Sequence, residues 1–222
     1  MTEFWTGLTP AERQAYLDGS FRRRWRRGEP LFHQGDNPDW VALLHTGHVK
    51  VCAHTPNGDD VVLAICGPGT LIGDVSALDG LPRSATVAAL DDVAGSVMPG
   101  RVLRTYLHQH AGAAEVLRHT VARRLRDADR TRMELSVRTA ADRLAARLIE
   151  LAERFGTPRA GTIHIGLQLS QEDLARWAGS SREAVTKTLS GWRRRGWIRT
   201  GRRSVTILDP AALRHAGPTA AR

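Results

Sequence analysis

The chain has 222 residues, 41% of them apolar and 25% charged, with a formal net charge of +9. That length suits one large domain or two modest ones, each with its own core. No stretch nears the roughly 18 consecutive apolar residues of a membrane span, and the start, MTEFWTGLTP, lacks the basic and apolar segments of a secretory leader, so a soluble, cytoplasmic protein with no membrane partner is expected. Charge is unevenly spread: residues 1–137 carry 16 Lys and Arg against 16 Asp and Glu, and residues 138–222 carry 16 against 7. A neutral part joined to a basic one points to two domains, the second facing a phosphate backbone. Two cysteines, Cys52 and Cys66, are too few for a disulfide framework or a four-thiolate cluster and read as buried free thiols.

In chain order, residues 1–20 read as an N-terminal helical segment, Thr9 capping and Pro10 in the first helical position. Residues 22–27, RRRWRR, could be a nucleic-acid patch or a solvated strand. The strand is favoured because Gly28-Glu29-Pro30-Leu31-Phe32 follows as turn and strand. From there to Met98, short apolar or alternating runs at 40–45, 49–54, 61–65, 85–89 and 94–98 are cut by Gly35-Asp36-Asn37-Pro38, Thr46-Gly47, Pro56-Asn57-Gly58, Gly67-Pro68-Gly69 and Asp91-Asp92. Strands so spaced, with Gly-rich turns and no fixed repeat, predict an antiparallel barrel or sandwich rather than a solenoid.

Residues 71–87, LIGDVSALDGLPRSATV, differ from the rest of this strand-rich part. They resemble the phosphate-binding cassette of cyclic-nucleotide-binding domains. Gly73 permits close backbone approach, and the following turn of helix through Asp74, Val75 and Ser76 offers unpaired N–H groups to an anion. Arg83 would neutralise a phosphate through its planar fork, Ser84 would donate a further hydrogen bond, and Asp74 would accept from a ribose hydroxyl. The competing reading is a turn that binds nothing, with Arg83 paired to Asp74 or Asp79.

Residues 102–135 turn helical without a proline, and Leu117, Val121, Leu125, Ala128, Arg132 and Leu135 recur every three or four positions. This is the seam of a two-stranded coiled coil or of a helix packed on its own domain. A hinge is expected at 135–139, then a helix at 140–155 packing through Leu144, Leu148 and Leu151 and stopping at Gly156, then a small strand at 163–165. Residues 170–198 read as two short helices about a tight turn. Ser170 caps the first, with Leu174 and Trp177 on one face, and Gly179 ends it. Ser181 opens the second, whose Val185, Leu189 and Trp192 share a packing face while Arg182, Thr186 and Lys187 point elsewhere. An ordinary helical hairpin is the alternative, but a wing-like hairpin follows: strand 197–200, turn Gly201-Arg202-Arg203, strand 205–208. The order helix, Gly turn, helix, wing is that of a winged helix-turn-helix, whose second helix enters the DNA major groove.

Over residues 20–210 the order of parts resembles the cyclic-AMP receptor and fumarate–nitrate regulator (Crp/Fnr) family of bacterial transcription factors. The resemblance rests on Gly28-Glu29-Pro30-Leu31-Phe32 with Gly35-Asp36, Gly47-His48-Val49-Lys50-Val51, the cassette, Ala122-Arg123-Arg124-Leu125 and Ser181-Arg182-Glu183-Ala184-Val185. It implies an α+β fold with an N-terminal helical segment (1–20), a cyclic-nucleotide-binding-type antiparallel β-roll (21–100) and a long dimerisation helix region (101–136). A C-terminal winged helix-turn-helix (137–214) and a disordered tail (215–222) complete it. It further implies a homodimer on palindromic double-stranded DNA, with RNA polymerase a candidate further partner, and cyclic AMP or cyclic GMP as allosteric effector, with no metal. Arg182 and Glu183 would read base edges, Lys187 would stand where the family often has another base-reading arginine, and Ser170, Gln171, Ser181, Thr186, Arg202 and Arg203 would complete the DNA contact. Lysine lacks the two-pronged fork, so the half-site can depart there from a TGTGA-like sequence.

At the ligand site Asp74 replaces the family's usual glutamate, and Ala128 and Asp129 replace the hydroxyl residues that cyclic-AMP-responsive members present to the base. A site preferring cyclic GMP, one taking cyclic AMP weakly and a vestigial site therefore stay open. In the last case the scaffold would be ligand-independent or answer a redox, heme or protein signal through Cys52, Cys66 or histidines, although His45 and His48 merely bracket a turn and no Cys/His cluster emerges. Enzymatic chemistry at Asp74, Arg83 and Ser84 lacks any positioned base, nucleophile pair or metal-ligand set, so no enzyme is expected.

Overall fold

Alternating apolar runs punctuated by glycine turns become the strands of the N-terminal half in the computed structural model, which describes residues 3–55, 58, 60–201 and 204–215. The chain divides into two units, Met1–Ala128 and Asp129–Arg222. In the first, α1 (Phe4–Gly7) and α2 (Pro10–Asp18) precede β1 (Phe21–Trp25), β2 (Pro30–Phe32), β3 (Trp40–Thr46), β4 (Val49–His54), β5 (Asp60–Cys66) and β6 (Leu71–Ile72). Then come α3 (Asp74–Asp79), β7 (Thr86–Ala89), β8 (Val93–Pro99), α4 (Gly100–Gln109) and α5 (Ala111–Val137), the last running into the second unit. Two four-stranded sheets have the orders β1-β8-β3-β6 and β2-β7-β4-β5, and every pairing is antiparallel.

Burial explains the sequence pattern. Along β3, Val41 and Leu43 join a core with Phe4, Tyr16, Met98, Leu103 and Tyr106, while Ala42 and Leu44 join Trp25, Phe32, Val49 and Val87 between the sheets. A strand covered on both faces reads as a continuous apolar run. The arginines of β1 are solvated, as the strand reading requires: Arg22, Arg23 and Arg24 are exposed on an edge strand, with Arg23 laid over Trp25 at 5.2 Å. Charged side chains there discourage edge pairing. Gly47 (φ +80°) turns β3 into β4 where a Cβ would stand 2.4 Å from the Asp92 carbonyl oxygen.

The helical region 101–136 is divided rather than continuous. His110 (φ −125°, ψ 82°) interrupts it between α4 and α5. No proline marks the break. The His110 ring packs on Tyr106 at 4.7 Å between centroids. Gly112 lies against Glu12, where a Cβ would come 2.5 Å from a carboxylate oxygen.

The second unit takes the end of α5, then α6 (Ala140–Phe155), β9 (Thr157–Arg159), β10 (Thr162–Ile165), α7 (Gln171–Ala178), α8 (Arg182–Arg194), β11 (Ile198–Gly201), β12 (Ser204–Ile207) and α9 (Pro210–Arg214). The boundary between units falls inside α5, between Ala128 and Asp129, whereas the helix itself ends at Val137. Thr139 caps α6 in a reciprocal box with Asp142. A four-stranded sheet, β11-β12-β10-β9, includes the wing, with Ile198 opposite Ile207 and Gly201 opposite Ser204. Trp197 stays out of the wing because its N–H donates to the Trp192 carbonyl and its own carbonyl accepts from Leu208 and Asp209. Of the expected wing turn, Arg202 and Arg203 lie outside the described residues, as do residues 216–222 of the expected tail. His215 is described and caps α9 through its N–H.

Leu144, Leu148 and Leu151 are fully buried on α6. Leu148→Ala is expected to destabilise the second unit by about 2–5 kcal/mol in chemical denaturation, through lost transfer energy and a cavity.

Candidate ligand cradle and DNA interface

The cassette begins where β6 ends. Gly73 adopts the left-handed conformation (φ +81°) as cap of α3, and Gly80 (φ +75°) ends that helix in the same conformation. The loop beyond returns Arg83 beneath the strands, 2% exposed. Its Nη1 donates to the Gly73 carbonyl at 2.8 Å, its Nη2 donates to the Trp40 carbonyl, and the guanidinium lies over Phe32 at 4.3 Å and Trp40 at 5.5 Å. A Cβ on Gly73 would stand 2.5 Å from Nη1, so only glycine leaves room for the fork. Desolvation lowers the Arg83 pKa, partly opposed by the carboxylates of Asp39, Asp36 and Asp74. An arginine nonetheless stays a cation.

Arg83 pairs with neither Asp74 nor Asp79. Asp74, 2% exposed, accepts instead from Arg124 of α5: Nη1 reaches its two oxygens at 2.9 and 2.8 Å while Nη2 donates to the Leu71 carbonyl at 2.9 Å. Desolvation pulls the Arg124 pKa down, but Asp74, Cys66 and Glu3 together outweigh it and leave the pKa raised. The Arg83 Nε is buried with no hydrogen-bond partner among the described residues. Of the other expected site residues, Val75 and Ser84 are exposed and Ser76 is buried. Ala128 and Asp129 stand exposed on α5, Asp129 lying 3.9 Å from Arg132. The contact tying the cassette to α5 therefore runs through Arg124, a residue noticed in sequence only as part of a family motif.

The DNA candidate is built from helix caps. Ser170 caps α7 in a reciprocal box with Asp173, and Gly179 ends it in the left-handed conformation (φ +58°). Ser181 opens α8 by accepting from the Ala184 N–H at 3.1 Å. Val185, Leu189 and Trp192 are buried, while Arg182, Glu183, Thr186 and Lys187 are exposed, separating a packing face from a contact face. The Thr186 hydroxyl meets Gln171 Oε1 at 2.7 Å, joining the two helices at the exposed side. The Glu183 carboxyl is held below its usual range by its own backbone N–H, then by the Ser181 hydroxyl, and by neighbouring Arg182. It stays ionised at neutral pH and can accept hydrogen bonds. Arg143 bonds the carbonyls of Ala178 and Gly179 at the turn, a role the sequence does not reveal, since an arginine on an amphipathic helix carries no signal of so distant a partner.

No group of three or more metal-binding side chains occurs among the described residues, and none of their helices is long and apolar enough to cross a membrane. The cyclic nucleotide-binding domain family matches residues 22–110, and the Crp-like helix-turn-helix domain family matches residues 142–216. The chain is 33% identical over 187 residues to the CRP-like cAMP-activated global transcriptional regulator of Mycobacterium tuberculosis, covering 84% of each. It is 31% identical over 207 residues to the cyclic AMP receptor protein of Thermus thermophilus, covering 93% of each. A solved CRP-family transcriptional regulator from Thermus thermophilus matches with a TM-score of 0.73 at 28% identity, over 87% of this chain and 95% of that one. With both modules matched in this order and relatives a third identical across most of their length, the chain belongs to the Crp/Fnr family of transcription regulators.

Proposed function

We propose that this DNA-binding regulator acts as a homodimer on a palindromic site and that a cyclic nucleotide, held at the cassette, alters its grip on DNA. The observation that carries the effector is Arg83. A buried cation with no carboxylate in contact is costly, and an anion beside it relieves that cost. A cyclic phosphate fits the donor set of Arg83, Ser84 and the backbone after Gly73, and the M. tuberculosis relative is described as cAMP-activated. Cyclic AMP and cyclic GMP are the two candidates.

One observation favours a second reading, in which the scaffold answers another signal. Both Asp74 oxygens already accept from Arg124, so a ribose hydroxyl would have to share or displace that bond. Dimerisation is supported by the long helix: Leu125, Met133, Leu135 and Val137 are exposed on α5. In the first unit a cavity of about 670 Å³ is lined by Leu78, Leu107, Leu117 and Val121, with Arg104 and Arg118 beside them. A second copy's α5 would bury this surface. At the DNA face, Arg182 and Glu183 read base edges, Lys187 adds a further contact, Ser170 and Ser181 approach phosphates, and Gln171 and Thr186 act as a bonded pair. RNA polymerase is the natural further partner of a DNA-bound regulator.

Calorimetric titration of the full chain with cyclic AMP and cyclic GMP tests the effector. One of the two is expected to bind, and Arg83→Gln is expected to weaken it at least tenfold; binding of neither would remove the effector and leave the DNA-binding role. In competition binding, Arg182→Ala is expected to cost about 1–3 kcal/mol on the specific site and relax base preference there. Equal losses on specific and random duplexes would contradict base reading.

A further inference from the structure

We propose that Arg143 and Arg147, one helical turn apart on α6, are positioning residues for DNA recognition, fastening the last turns of α5 to the turn that launches the recognition helix. All of the contacts lie within the second unit. Arg143 spreads one guanidinium over three carbonyl oxygens, each at 2.7 Å: Arg138 just past the end of α5, and Ala178 and Gly179 at the end of α7. Cations bonded to terminal helix carbonyls also complement the helix dipoles. Arg147, 9% exposed, reaches Glu134 at 2.9 Å and Thr131 at 3.2 Å on α5, Glu150 at 2.7 Å on α6, and the Trp177 ring on α7 at 5.6 Å.

Together the two side chains bind the end of α5 to α6 and α7 at two levels. Leu135 adds a third contact, since a Cβ on Gly179 would come 2.9 Å from its Cδ2. Gly179 is followed within two residues by Ser181, the cap of α8, so whatever sets this turn sets the direction in which Arg182 and Glu183 point. Stability alone gives a poor reason for the buried charge of Arg147. Well-packed apolar residues of similar volume hold an interior at least as well as a buried ion pair, and the best-attested use of a buried charge is to choose one arrangement over others. Arg147 even leaves its Nε buried without a partner among the described residues. Neither arginine lies on α8 or the wing; an effect through orientation falls on the selected duplex alone, whereas direct attraction to phosphates would weaken both duplexes alike.

The test uses the full chain, the duplex it selects from random sequences, and a scrambled duplex of equal length at one salt concentration. Arg143→Gln and Arg147→Met are each expected to weaken binding to the selected duplex at least tenfold while changing the scrambled duplex less than twofold. Amides of residues 131–138 are expected to exchange faster with solvent, while those of α8 keep their protection. Arg143→Lys is expected to restore only part of the loss, since an ammonium cannot span three carbonyls. Should Arg147→Met fail to fold, Glu134→Gln serves in its place, keeping shape and one acceptor while removing the charge that faces Arg147, with a loss of threefold or more on the selected duplex alone. Should Arg143→Gln fail to fold, Arg143→Lys serves, with the same selective loss. Parallel losses on both duplexes, or no loss on either, would overturn the proposal.

Discussion

A guanidinium buried without a carboxylate beside it is the constraint around which the N-terminal unit is arranged. Arg83 reaches the interior only because two left-handed glycines, Gly73 and Gly80, fold the cassette back on itself and because Gly73 has no side chain to obstruct the fork. Two carbonyls and two aromatic faces then hold the cation in place. These contacts orient the charge without cancelling it. Asp74, one residue into the same helix, is in the opposite condition, since its buried charge is matched by Arg124. The cassette thus keeps one charge without a carboxylate in contact and uses another to grip α5, and that helix continues into the DNA-binding unit.

The same division of labour recurs in the second unit. Polar side chains of α8 are exposed to solvent, while Arg143 and Arg147 of α6 are turned onto carbonyls and carboxylates. Basic residues in the last 85 positions therefore sit in two different settings, and the charge count that points to nucleic acid does not separate them. Caps divide the elements: Ser170, Gly179 and Ser181 set where each helix starts and stops, so the contact face of α8 follows from a few short-range hydrogen bonds.

Features governed by near neighbours were legible in the sequence. The run 49–54 is a strand to the residue, Thr9, Ser170 and Ser181 occupy the N-cap positions their side chains suggest, and Gly179 ends α7 as a residue free to take positive φ does. The family was legible too, because several of its motifs are spaced along nearly the whole chain. What stayed hidden depends on residues far apart. The break at His110 falls where the start of α5 meets α2, with Gly112 lying against Glu12, rather than at a helix breaker. The two-residue strand β6 exists because Leu71 and Ile72 pair with Leu43 and Ala42, some thirty residues earlier. Asp74 looked free for a ribose because its partner lies fifty residues on, and the stacking of Arg83 on Phe32 and Trp40 crosses the same kind of gap. Spacing along a chain reveals caps and faces; it does not reveal which buried charges meet.

The central claim, that an anion at the cassette changes how the second unit holds DNA, is tested most directly by titrating the full chain with a TGTGA-type palindrome and with a scrambled duplex. Both titrations are run at fixed salt with no ligand, with cyclic AMP and with cyclic GMP. One nucleotide is expected to tighten binding to the palindrome and leave the scrambled duplex unchanged. Equal binding of the palindrome under all three conditions would contradict it and leave the cassette as scaffold.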